Sequence, residues 1–172
     1  MYQRIIVPLD GSDIAELALP EAERMARLTG APLRLIRVVD PTQMPWYGVY
    51  ADAMGAAVVQ SALGDEEHVS DGYLAEVAAR IEDLGIEVEY EVRHGRAAKE
   101  LVAAAKDGDL IVMASHGRGG ISRWLLGSVA EELVRHAAVP VLLVKATKVV
   151  PATAADTIVD AKFEREAVAA GA

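Results

Sequence analysis

Gly117, Gly119 and Gly120 fall in one short stretch, and nine residues after Gly117 a further glycine, Gly127, stands directly before Ser128. Glycines let a backbone approach a ligand closely, and a helix starting at Gly127-Ser128 offers N–H groups that have no intrahelical acceptor. An anion, phosphate above all, suits that combination. The same glycines would also serve a plain turn, and Ser128 would serve as an N-cap or as a phosphate ligand. No lysine follows Gly127, so the Walker pattern is absent. The dinucleotide fingerprint fails as well, because Ser122 stands where its third glycine belongs.

The remaining polar candidates are few. Asp10, in the run Asp10-Gly11-Ser12-Asp13, is either a turn residue or a ligand contact. Arg118 and Arg123 either reach a phosphate or lie in solvent, and Arg118 is kept as a candidate. His116 has no partner placed by sequence to make it a general base, and it is assigned to the loop. Metal spacing of the HExxH kind is missing, and the chain has no cysteine for a thiolate site or a disulfide.

These residues need elements to bring them together. Arg4 to Pro8 and Leu110 to Ala114 are almost wholly apolar runs, as in strands buried on both faces. Leu33 to Val39 is interrupted by Arg34 and Arg37 and reads as a less buried strand. Ile86 to Arg93 alternates apolar and charged residues, the mark of a sheet edge, and Val139 to Val144 closes the series. A helix from Asp13 to about Leu28 is expected, with Asp13 and Glu16 as a reciprocal cap, a kink or shifted start at Pro20 and a stop at Gly30. Residues 41 to about 63, punctuated by Pro41, Pro45, Gly48, Gly55 and Gly64, read as a long loop. Further helices are expected from Glu66 to Leu84, from Ala97 to Lys106 and after Gly127. The last should carry Val129, Leu133, Val134 and Ala137 on one inward face. Strands alternating with helices predict an α/β fold: a doubly wound, five-stranded parallel sheet in the order 3-2-1-4-5, with helices on both faces. Its switch point lies between the first and fourth strands, where Pro8 to Asp10 meets Met113 to Gly117.

The spacing Ala114, Gly117, Gly127-Ser128 resembles the nucleotide-binding signature of the universal stress protein (UspA-like) family, with alanine in place of its first glycine. The resemblance implies the adenine nucleotide alpha hydrolase-like form of the fold and binding of an adenine nucleotide, as in the single-domain ATP-binding members. ATP is the ligand implied, with AMP or cyclic AMP as alternatives sharing one adenosine pocket and with Mg2+ as a companion of ATP. Residue by residue, it places Pro8 and Asp10 against the adenosine and Val38 against the adenine ring. Met113 and Ala114 line the pocket, Gly117 lies near ribose or phosphate, and Gly127, Ser128 and the Val129 N–H hold phosphate. It also implies a homodimer joined through the last strand. The domain is expected over 1–146, with 147–172 as a C-terminal tail, partly disordered or helical.

Composition narrows the function classes. The chain has 172 residues, a formal net charge of −9, 52% hydrophobic residues and only 5% aromatic ones. The negative charge argues against nucleic acid as a partner. No apolar run reaches the ~20 residues of a membrane span and no secretory leader is visible, so the cytoplasm is the expected location. The leading expectation is a regulatory nucleotide-binding protein of stress response, whose occupancy alters stability or partner contacts. A slow ATP hydrolase or nucleotidyl-transfer enzyme is the first rival, and it lacks an evident base and charge clamp. A nucleotide-free structural homodimer is the second, and the retained Gly127-Ser128 pair speaks against it.

Overall fold

The computed structural model describes residues 1–43, 55–115 and 127–145. Five parallel strands form the sheet: β1 (Arg4–Pro8), β2 (Leu33–Val39), β3 (Val88–His94), β4 (Asp109–Ser115) and β5 (Val141–Lys145). Their order is β3-β2-β1-β4-β5, as the gradient of apolar content predicts. The central strands are the most apolar because both their faces are covered: β4 is buried at six successive positions, Asp109 to Ala114. The β1–β4 register pairs Arg4 with Asp109, and the Arg4 guanidinium donates to both Asp109 carboxylate oxygens, at 3.3 and 2.7 Å. Asp109 Oδ2 also accepts the Lys106 N–H, so a buried carboxylate is satisfied where the two strands begin.

The helices divide between the two faces. Helices α1 (Asp13–Glu16), α2 (Leu19–Thr29) and α3 (Gly55–Glu82) precede β3, whereas α4 (Ala97–Ala104) and α5 (Ser128–His136) follow it. One core joins Ala18, Ala22 and Ala26 and the α3 residues Leu74, Val77, Ala78 and Ile81 to Ile5, Val7, Leu33, Leu35, Leu110 and Val112. The other joins Leu101, Ala104, Ala130 and Leu133 to Ile6, Ile36, Ile111 and Met113. Strand alternation sends neighbouring residues to opposite cores, which is how β1 contributes Ile5 and Val7 to one and Ile6 to the other.

Several local expectations are corrected. At Pro20 the shifted start is found and not the kink. The first helix stops after Glu16, and α2 begins at Leu19 with the proline in its first turn, where a missing N–H costs nothing. The cap of α1 is Ser12, whose Oγ accepts the Ala15 N–H at 3.2 Å, not an Asp13–Glu16 pair. Glu16 is engaged elsewhere, by the Tyr73 hydroxyl and Arg80. Helix α3 runs from Gly55, so 55–63 is helix rather than loop. Glycine costs a helix only about 1 kcal/mol, against about 3 for proline, and no proline lies between Pro45 and Glu82. At Gly64 an added Cβ would meet nothing within 4 Å, so that glycine marks open surface rather than a break. On α5 the inward residues are Ala130 and Leu133, with Val129 and Ala137 beside them, while Val134 is exposed. In β3, Tyr90 is exposed although it shares the parity of the partly buried Val88 and Val92. The 147–172 tail lies outside the described residues.

Candidate functional site

At the carboxyl ends of β1, β2 and β4 a cleft of about 130 Å³ opens between the sheet and the first turns of α4 and α5. Pro8, Asp10, Val38, Met113, Ala114, Gly127, Ser128 and Val129 all line it. Gly117 and Arg118, the other two candidates, lie outside the described residues, as do His116 and Arg123. Ile36, Val38, Leu101 and Met113 give the cleft an apolar wall, continuous with the core on that face of the sheet.

The polar side of the cleft is made by two loops. After β1 the chain turns at Asp10, whose Oδ1 accepts both the Ser12 N–H at 2.9 Å and the Ser12 hydroxyl at 2.6 Å. Asp10 is therefore a turn residue that also faces the cleft, and its two sequence readings are compatible. Gly11 has φ +81°, a left-handed conformation that favours glycine. Across the cleft, the N-cap of α5 is Gly127, and among the described residues no side chain caps the helix. Ser128 is thus the first helical residue and not the cap. Its N–H and those of Val129 and Ala130 precede the first intrahelical donor, Glu131, which bonds the Gly127 carbonyl at 2.9 Å. The Gly127 φ of −60° is open to any residue, so its need for glycine would be one of space. Ala114 sits in regular strand paired with Val144, and no non-glycine residue among those described has positive φ, so alanine is accommodated there without strain.

Helix α4 was not part of the sequence-based site, yet Ala97 and Leu101 line the cleft. It too starts without a side-chain cap, at Arg96, and Arg96 pairs with Glu132 of α5 at 3.6 Å. Two uncapped helix starts therefore face one cleft, adding partial positive charge where an anion would lie. The available signal was Gly95, between an alternating strand and a short apolar helix. Among the described residues no group of three or more His, Asp or Glu converges in a way that would hold a metal. A larger depression of about 500 Å³ lies at the opposite pole, around Tyr2, Thr29, Asp107 and Pro140. Its rim includes the fully exposed Met1, and no helix start opens into it, so size alone does not favour it.

The family model for universal stress proteins matches residues 1–145. The chain belongs to the universal stress protein family. The universal stress protein MJ0531 of Methanocaldococcus jannaschii is 37% identical over 150 residues, 86% of this chain and 85% of that one. Among solved structures, that of MJ0577, from the same organism, superposes with a TM-score of 0.71 at 27% identity, covering 86% of this chain and 99% of the other. A universal stress protein solved in complex with cyclic AMP has a TM-score of 0.57 at 26% identity, with 85% and 98% coverage. The five-stranded order 3-2-1-4-5 is thus the family architecture, and residues 1–145 contain every strand of it. No helix among the described residues is long and apolar enough to cross a membrane.

Proposed function

We propose that this universal stress protein binds an adenine nucleotide in the cleft between β1, β4 and α5, and that the bound nucleotide regulates its contacts with partners. The observation that carries this reading is the uncapped start of α5 facing an apolar wall across one cleft. Its N–H groups suit phosphate oxygens, and Val38, Ile36 and Met113 suit a purine ring. Asp10 supplies a carboxylate oxygen for a ribose hydroxyl, because Oδ1 is already taken by Ser12 and Oδ2 has no partner among the described residues. ATP is the first choice. A relative bound to cyclic AMP keeps AMP and cyclic AMP as the second, since all three share the adenosine. Mg2+ would arrive with ATP. The same reading places the protein in the cytoplasm.

Mass spectrometry of natively purified protein is the direct test, followed by calorimetric titration with ATP, AMP and cyclic AMP. Failure of all three to bind would defeat the proposal. With Mg2+ and ATP, turnover is expected far below ~1 per second. A robust rate abolished by His116→Ala with binding intact would instead mark an enzyme. The self-association expected through β5 belongs to the same proposal. Val141 to Val144 are only half-buried, and no strand among those described pairs with the outer side of β5. Light scattering that shows a monomer at micromolar concentration would rule this out.

A further inference from the structure

Beneath the Asp10–Ser12 turn, on the side of the sheet away from α5, lies a line of polar contacts that the cleft itself does not use. Glu66, Tyr73 and Arg80 are spaced by seven, two helical turns each, and so share one face of α3. Arg37 of β2 donates to Glu66 Oε1 at 3.0 Å and lies 5.5 Å from the centre of the Tyr73 ring. The Tyr73 hydroxyl donates to Glu16 Oε1 at 3.0 Å, and Arg80 donates to Glu16 Oε2 at 2.8 Å. Burial first, and then the bond to Glu16, hold the Tyr73 phenol well above its ordinary range, so it remains a donor. Glu16 closes the helix that follows the turn. Arg37 meets the turn directly: a Cβ added to Gly11 would stand 2.8 Å from Arg37 Nη1.

We propose that Arg37, backed by this face of α3, is a positioning residue for the ligand cleft: it supports the Gly11 backbone from below and so fixes where Asp10 presents its carboxylate. The argument is one of contact. Glu16 bonds the far end of the turn through its N–H to the Ser12 carbonyl, the guanidinium stands against its middle, and both side chains are anchored on one helix. Glycine is favoured at the contact by its positive φ, and the guanidinium, the far end of a flexible side chain, fills the space that a Cβ would take. The role at the ligand rests on the nucleotide reading above, whereas the support of the turn does not.

The test is a double-mutant cycle with ATP as the probe. Arg37→Met keeps the aliphatic stem and removes the guanidinium, and Asp10→Ala removes the group that it would position. Arg37→Met is expected to weaken ATP binding about tenfold in the native background, and by less than about twofold when Asp10 is already alanine. Amide exchange in the ligand-free protein should quicken at Ser12, whose N–H bonds Asp10, and not in β1. A role confined to docking α3 would lower the melting temperature and leave the two substitutions additive. An equal Arg37 penalty in both backgrounds overturns the proposal, as does unchanged affinity. If the native protein binds no ATP, the nucleotide reading fails and exchange alone decides the support of the turn. Unchanged exchange at Ser12 then refutes it, and quicker exchange upholds it.

Discussion

The two central strands, β1 and β4, both end at the cleft, but the helices after them begin in opposite ways. Helix α1 is closed off: Ser12 Oγ takes the Ala15 N–H, and Asp10 takes the amide and hydroxyl of Ser12. Helix α5 is left open. Gly127 contributes no side chain, and among the described residues no side chain caps the first N–H groups. A capped start satisfies the chain's own donors, and this contributes about 1 kcal/mol to folding. A start at glycine forgoes only a few tenths of that and keeps its donors for something else. Two loops at the same end of one sheet thus divide the work, one holding shape and the other offering contacts.

Substitutions that exchange the two characters test this division. The largest effect is expected of Gly127→Asp, which gives α5 a cap like that of α1 and sets a negative charge where phosphate would lie. Nucleotide affinity should fall more than about a hundredfold, while the melting temperature holds or rises slightly, since Asp caps a little better than Gly. Calorimetry paired with a thermal melt separates the two, and retained affinity would mean that the open start is not a phosphate site. Ser128→Ala is milder. It removes one hydroxyl from the first turn and leaves the N–H groups in place, so affinity should drop tenfold or less in the same titration. Smallest is Ser12→Ala, which opens the closed start. The loss should be about 1 kcal/mol of stability, a fall of roughly 2–4 °C in melting temperature for a chain of this size. No fall at all would show that Asp10 holds the turn unaided.

Much of this architecture was legible because burial writes itself into the chain. Ile5, Ile6 and Val7, like Leu110 to Ala114, are apolar at every position, and only a strand covered on both faces requires that. The charged alternation of β3 marked the edge, and the strand order followed. What failed was local. Gly55 and Gly64 read as breakers but lie in α3, where packing of Leu74, Val77 and Ile81 outweighs a weak propensity. The cap of α1 was misplaced by one residue because Ser12 and Asp13 both suit the position, and only the turn at Asp10 selects between them. In the cleft, the loop after β1 and the start of α5 were visible as motifs. Ile36, Ala97 and Leu101 were not, since nothing in their types differs from core. The place of Ala97 and Leu101 there follows from how α4 crosses back over the sheet, a fact of topology rather than of composition.

The two cores also differ in thickness. Among the described residues, eighteen buried side chains pack on the face of α2 and α3, and nine on the face of α4 and α5. Among the described residues helix α5 buries only Ala130 and Leu133 in full, and the wall that carries the open helix start has the fewer buried side chains. Local opening starts where the fewest apolar contacts must be broken. A ligand that bridges β1 and α5 would therefore act as a clasp on the weaker side. At a hundredfold excess over its Kd it would add about 2.7 kcal/mol to the folded state, roughly 5–10 °C in melting temperature for a chain of this size. The protein's lifetime against heat and proteolysis would then rise and fall with the concentration of that small molecule.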